Sequence, residues 1–342
     1  MELEGVIAYV VRRLAVSVVL LLVASFVCFA LVQALGDPIA EWAGRQRQAN
    51  PSGAAQAIAD AYSRAGLDRP FLTRYVDWLG NFVTGDWGTT VNPGQTPVEV
   101  KPKILHASNI TLRLILFATI LAIVVGMVIG VATSVRQNSA IDYTVTGFSF
   151  LVFSMPIFSV AVLLKIAGIN LNNTMQSMGM PRWLVTAGYP PGGFSGSLGN
   201  QIFQFTGVYT LPTISLLLIS FATYVRFQRA SMLDVVNADY VRTARAKGLT
   251  ERRVVWVHAF RNALIPVVTV AAINMGSVIS GAVITETVFG WQGMGALLVT
   301  YVNRKEPYMI LAFLMVTAVF VILANLIADL AYSIIDPRIR LD

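Results

Sequence analysis

The 342 residues are 56% hydrophobic and 13% charged, whereas soluble domains average about 45–50% and about 25%, so they cannot cover an ordinary water-soluble fold. One cysteine, Cys28, and two histidines, His106 and His258, exclude a disulfide framework and a zinc site built within one chain. The net charge of +7 fits either nucleic acid or a membrane, and its position along the chain has to decide between them.

Stretches free of Asp, Glu, Lys and Arg run over residues 14–35, 114–135, 143–164, 207–225, 263–285 and 308–328. A helix rising about 1.5 Å per residue crosses a hydrocarbon core of about 30 Å with about 20 residues. The expected fold is therefore an all-α polytopic membrane protein with six transmembrane helices. Residues 1–35 hold the first, preceded by Arg12 and Arg13. Its apolar run exceeds that of a signal peptide and no A-x-A site follows, so an uncleaved anchor is expected. Residues 36–109 form a long loop with seven basic and seven acidic residues. Within it, apolar spacing over 54–79, broken at Gly66 and Pro70, predicts two short amphipathic helices, and 85–94 reads as turns. Residues 110–342 form a five-helix core. In it Pro156 predicts a kink in the third span, and the glycine-rich loop 169–205, with Pro190 and Pro191, reads as irregular.

Charge placement gives the orientation. With the N-terminus in the cytoplasm, thirteen basic residues of the short flanks fall inside: Arg12, Arg13, Arg136, eight between 226 and 261, Arg338 and Arg340. Only Arg182, Arg304 and Lys305 then occupy short outer loops. Both termini are expected inside. The loop 226–262 alone carries +5 of the +7. Asn237 is a candidate N-cap for a helix through Asp239, Tyr240, Val241, Ala244 and Arg245 that stops at Gly248, where positive φ costs little. Thr250 is placed to cap a second helix leading into the fifth span. On charge alone, a loop that only fixes topology and touches acidic lipid is the favoured reading.

Residue order adds to this. Asp239-Tyr-Val-Arg-Thr-Ala-Arg-Ala-Lys-Gly248-Leu, followed by His258-Ala-Phe-Arg-Asn-Ala-Leu-Ile-Pro266, resembles the coupling loop of bacterial ABC importer permeases of the dipeptide, oligopeptide and nickel B-type family. Gly66-Leu-Asp-Arg-Pro-Phe, Gly85-Asp-Trp-Gly-Thr-Thr and Glu286-Thr-Val-Phe-Gly-Trp-Gln-Gly-Met-Gly295 resemble further segments of that family, in its order. Gln292 stands where the family usually has proline, and the second outer loop is longer than usual. The resemblance implies the type I ABC importer permease architecture. It also implies a short helix, Asp239 to Lys247, seated in a cleft of a partner ATPase, with Tyr240, Arg242, Thr243, Ala244, Arg245 and Ala246 along it and Gly248 as its corner. Ala244 would let backbones approach, and Arg242 and Arg245 would pair with ATPase carboxylates.

Candidate translocation or gating residues are Met155 and Pro156 in span three and Asn274, Met275 and Glu286 on or just after span five. Gly126 with Gly130, and Ala272, Gly276 and Ser280, are small residues every fourth position and read as helix packing. Arg113, Lys165 and Glu286 near span ends are expected to reach water by snorkelling, and Asp329 to pair with an inner arginine. No Gly-Lys dipeptide is present, hence no Walker A loop. The chain is expected to have no catalytic residue, cofactor or metal, with ATP and Mg held by partner subunits. A secondary transporter would need midplane carboxylates or inverted repeats, and neither is visible.

The resulting expectation is a multi-pass permease subunit of the bacterial cytoplasmic membrane that passes short peptides. A nickel or other metal chelate, or another small solute, is the alternative. The implied partners are a second homologous permease forming a heterodimer, two ATPase subunits, an extracytoplasmic substrate-binding protein and lipid, with no nucleic acid.

Overall fold

The computed structural model describes residues 3–190 and 194–335, and every regular element among them is helical. The order is α1 (Leu3–Ala34), α2 (Ala40–Ala49), α3 (Ala54–Arg64), α4 (Phe71–Thr84), α5 (Val100–Val135), α6 (Ala140–Ser154), α7 (Ile157–Ser177), α8 (Leu198–Val236), α9 (Asp239–Ala246) and α10 (Glu251–Arg253). A π-helical stretch, Val254–Ala259, then joins α11 (Phe260–Phe289), followed by α12 (Met294–Asn303) and α13 (Pro307–Ile335). Six helical segments among the described residues are long and apolar enough to cross a membrane: Val11–Ala34, Val100–Val135, Ile157–Ser177, Leu198–Val236, Glu251–Ala271 and Pro307–Ile327.

Three local readings change. The third apolar stretch, read as one kinked helix, is two helices. Met155 and Pro156 are both extended (ψ 133° and 140°), and the helix restarts only at Ile157. Proline disfavours helical backbone in the residue before it and supplies no N–H, so a break replaces the kink. The loop read as irregular over 169–205 is helical at both ends, since α7 runs to Ser177 and α8 starts at Leu198, where Ser197 caps Asn200 N–H. The first loop gains α2, and α5 begins already at Val100. Pro191, Arg338 and Arg340 lie outside the described residues, as do the side chains of Ala272, Met275 and Asp329 and the surroundings of Gly276.

The chain forms two compact units. The smaller is built from residues 12–110 and 293–320. Its core joins Phe29 and Val32 of α1, Trp78 of α4 and Ile310, Leu311 and Met315 of α13. Phe29 meets Phe71, Tyr75 and Trp78 at centroid separations of 5.4, 5.6 and 5.5 Å, within the range of favourable ring pairs. Ile39, Ala43 and Ala61 close α2 on α3. After α4, Gly85 takes the left-handed cap (φ 94°), and a hairpin-like turn follows, with Thr90 N–H bonded to Val98 O at 3.0 Å and Val100 N–H to Gly88 O at 3.0 Å.

Glu306 holds that turn. Its carboxylate, 1% exposed, accepts the N–H groups of Val91 at 2.7 Å and Asn92 at 3.1 Å. Burial pushes the Glu306 carboxyl above the usual carboxylate range, although both N–H bonds pull it down. A folded-state value raised above the unfolded one means the native turn binds the proton more tightly, so its stability is greatest at low pH and falls as pH rises through the raised value. Amide exchange at Val91 and Asn92, corrected for its intrinsic pH dependence, should accelerate over that window. Glu306→Gln should remove the pH dependence. Glu306→Ala, which leaves two donors unpaired, should accelerate exchange at every pH, each donor costing about 1–3 kcal/mol.

The larger unit is built mainly from residues 111–292, with α8 packed against α6, α7 and α11. The close approach of α5 to α8 rests on glycine: a Cβ on Gly126 would lie 2.6 Å from Tyr224 Cβ, and one on Gly130 would lie 2.7 Å from Gln228 Cβ. Gly126→Leu is therefore expected to cost at least about 1–3 kcal/mol by overpacking, read as a lowered thermal midpoint in detergent. Leu at Gly147, where a Cβ meets nothing within 4 Å, should leave the midpoint within error.

Candidate functional site

The loop between α8 and α11 folds as a knob with two distinct faces. Asn237 ends α8 instead of capping α9, and the residue at the α9 N-terminus is Ala238. Thr250 precedes α10 as expected, with no side-chain capping bond. Gly248 has φ +75° and turns the chain between α9 and α10. That left-handed conformation is cheap only for glycine and a few small polar residues.

Val241 and Ala244 form the inner face of α9. They are buried with Val131 of α5, Met232 of α8, Val254, Val255 and Ala259 of the π-helical stretch and Ala263 of α11. The i, i+3 spacing of these two residues gives the helix a narrow apolar seam. Ala244 thus brings α9 close to its own chain. The outer face carries Tyr240, 43% exposed, with Asp239, Arg242, Thr243, Ala246 and Lys247 in solvent. Trp256 and Val257, 41% and 55% exposed, add apolar area beyond the corner.

Arg245 is already engaged. Its guanidinium grips Glu251 with Nη2–Oε1 at 2.8 Å and Nε–Oε2 at 3.1 Å, and donates to Val236 O at 3.2 Å. The pair spans the Gly248 corner and ties α9 to the end of α8. Of the two arginines that the resemblance assigns to a partner, Arg242 is the more open, its side chain 74% exposed and held only by an ion pair with Asp239 at 3.9 Å.

Behind the knob, Asp142 and Arg229 pin α6 to α8. The contact is bidentate, Nε–Oδ1 at 2.7 Å and Nη2–Oδ2 at 2.8 Å, with the Asp142 side chain 3% exposed. Asn138 N–H donates to Oδ2 at 3.0 Å, and Ser139 caps the helix through Asp142 N–H. Sequence reasoning missed this pair. Its only signal was an aspartate three residues after a Ser N-cap, at the start of an apolar stretch.

At the other end of the same unit, Glu286 is fully buried and accepts a hydrogen bond from Thr111 Oγ1, so it does not snorkel. Lys165 is tied too, donating to Val288 O at 2.6 Å, whereas Arg113 is exposed. Gly290 ends α11 with φ 65°, which lets Trp291 N–H return to Glu286 O at 2.8 Å. Trp291 is then 1% exposed and meets Tyr189 and Tyr209 at 5.2 and 5.1 Å. The loop before α8 is held by Asn172, which accepts Trp183 and Leu184 N–H at 3.2 and 3.1 Å and donates to Leu184 O at 2.6 Å. Asn172 carried no signal in the sequence.

Among the gating candidates, Met155 and Asn274 are half-buried and Pro156 is exposed at the α6–α7 break. Ser280 is exposed, and the neighbouring Gly281 is the close-approach position, where a Cβ would stand 2.9 Å from Ile157 Cδ1.

A family model described as binding-protein-dependent transport system inner membrane component matches residues 122–341, and one for the N-terminal part of such components matches residues 6–100. The oligopeptide transport system permease protein OppB of Mycobacterium bovis is 35% identical over 333 residues, covering 97% of this chain and 98% of that protein. The dipeptide transport system permease protein DppB of Escherichia coli K12 is 34% identical over 342 residues, with 97% and 98% covered. Among solved structures, a chain of the MetNI methionine ABC transporter in an inward-facing conformation aligns with a TM-score of 0.53 at 16% identity, over 68% of this chain and 96% of that one, which shows a shared fold.

Proposed function

The chain belongs to the family of binding-protein-dependent transport inner-membrane components, and from that membership we propose that it is the permease subunit of an ATP-driven importer of short peptides. Membership makes it a non-catalytic, multi-pass inner-membrane subunit that works with an ATPase and a binding protein. The finer assignments are ours: a second homologous permease completes the pore, two ATPases power it, and both termini face the cytoplasm. The peptide reading is supported by relatives named for oligopeptide and dipeptide transport over nearly their full length.

One observation carries the mechanism. The α9 helix keeps Val241 and Ala244 in its own bundle while Tyr240, Arg242 and Lys247 stand in solvent. A helix fixed on one side and bare on the other transmits force if a partner grips the bare side. ATP-driven closure of the ATPases then moves α9, and its contacts with α8, the π-helical stretch and α11 carry that motion into the spans. In proteoliposomes holding both permeases and the ATPases, labelled tri-alanine should accumulate only with ATP inside and binding protein outside. ATP hydrolysis that does not respond to peptide-loaded binding protein overturns the peptide reading.

A further inference from the structure

The smaller unit carries a half-open cleft of about 900 Å³, at the upper end of the roughly 300–1,000 Å³ of small-molecule sites. Trp42, Trp78 and Trp87 line it. The Trp87 indole N–H is already given to Phe82 O at 3.2 Å, and its ring is stacked on Phe82 at 4.7 Å, so the indole is oriented by its own chain. The charged lining consists of three aspartates, Asp60, Asp77 and Asp86, and three arginines, Arg64, Arg69 and Arg74, a formal sum of zero. Arg69 and Asp77 pair with each other at 3.1 Å, and Asp86 accepts Gly88 N–H at 3.0 Å. Among the described residues the side chains of Asp60, Arg64 and Arg74 have no hydrogen bond or ion pair. Asp60 and Arg64 are four residues apart on α3, and Arg74 lies one turn before Trp78 on α4.

We propose that this cavity binds a short peptide in its zwitterionic form, with Asp60 taking the terminal ammonium, Arg64 and Arg74 the terminal carboxylate, and the tryptophans the side chains. A ligand of a single charge satisfies one sign of this lining and leaves the other facing it uncompensated. A zwitterion satisfies both, and the guanidinium fork matches a carboxylate bidentately. Indole faces accept varied side chains without demanding a particular one. The proposal rests on the peptide reading above and adds a station on the permease itself, on the side which that topology places outside the cell.

The test uses the complete complex of both permeases and the ATPases in nanodiscs, without binding protein, and measures equilibrium binding of tritiated tri-alanine. Saturable binding is expected. It should weaken about tenfold or more when the N-terminus is acetylated or the C-terminus amidated, and equally in Asp60→Asn and Arg74→Gln complexes that still assemble with the ATPases. The blocked peptides make the test independent of variant folding. No saturable binding, or equal binding of blocked and free peptide, overturns the proposal. So do variants that bind peptide as the wild type does but, in a parallel pull-down, no longer hold the binding protein, which would make the cavity a protein-docking surface. Import by the same wild-type complex with its binding protein, measured in parallel, separates the two readings: import without binding sinks only this site, and no import sinks the peptide function.

Discussion

Arg229→Ala is expected to destabilise the larger unit by about 3–5 kcal/mol, because it strands a carboxylate in a site where Asp142 is 3% exposed. The remaining partners, Asn138 N–H at 3.0 Å and the Thr146 hydroxyl at 3.4 Å, do not balance a full charge. Arg229→Lys should recover only part of the loss, since an ammonium cannot reproduce the two parallel bonds at 2.7 and 2.8 Å. An Asp142→Leu, Arg229→Leu double variant should be far more stable than Arg229→Ala, as replacing both members of a buried pair is often nearly neutral. Thermal unfolding of the purified protein in detergent reads all three. The same double variant should still transport poorly, because Arg229 sits on the stretch of α8 that leads into α9. Stability restored together with full transport would show that the pair only holds the fold.

Gly248→Val is expected to abolish peptide-stimulated ATP hydrolysis while the complex still assembles. A Cβ at Gly248 meets nothing within 4 Å, so the effect comes from the backbone alone. At φ +75° a β-branched residue is strained by at least about 1–2 kcal/mol. The cheapest relief is to open the corner that Arg245 and Glu251 brace, which swings the exposed face of α9 away from its partner. Gly248→Asn should retain most activity, since asparagine tolerates the left-handed region, and Gly248→Ala should fall between. A steric origin would instead rank the three by size, with Asn worse than Ala. Coupled transport at the wild-type rate in Gly248→Val would remove α9 as the coupling element.

The spans were legible because a bilayer imposes a length on any helix that crosses it. Uncharged stretches of about 20 residues seldom occur in chains that fold in water. Six such stretches match the six candidate spans in number, although the third and fifth, 143–164 and 263–285, only partly overlap the candidates Ile157–Ser177 and Glu251–Ala271. The corner at Gly248 was legible for a similarly local reason, a glycine closing a short amphipathic run. Pro156 was read with the right location and too mild a consequence. The helix propensity of the flanking apolar residues suggested continuity, but the residue before proline resists helical backbone and α6 ends there.

What charge and spacing could not decide is which neighbour covers which face. Periodicity places Arg242 and Arg245 on one side of α9, but it does not reveal Glu251 waiting across the corner to take Arg245. It offers Ala244 as a small residue without saying whose backbone it admits. Glu286 read as a water-seeking charge at a helix end until α5 brought Thr111 against it. Asn172 and the Asp142–Arg229 pair are invisible for the same reason, since their partners lie 11 to 12 and 87 residues away in the chain. Composition and residue order were enough for the solvent, the number of candidate spans and the family, because each depends on local features of the chain. The tertiary structure decided which charges are spent inside the chain and which stay open, including the uncommitted Asp60, Arg64 and Arg74 of the cavity, because pairing depends on distances that only the packed helices create.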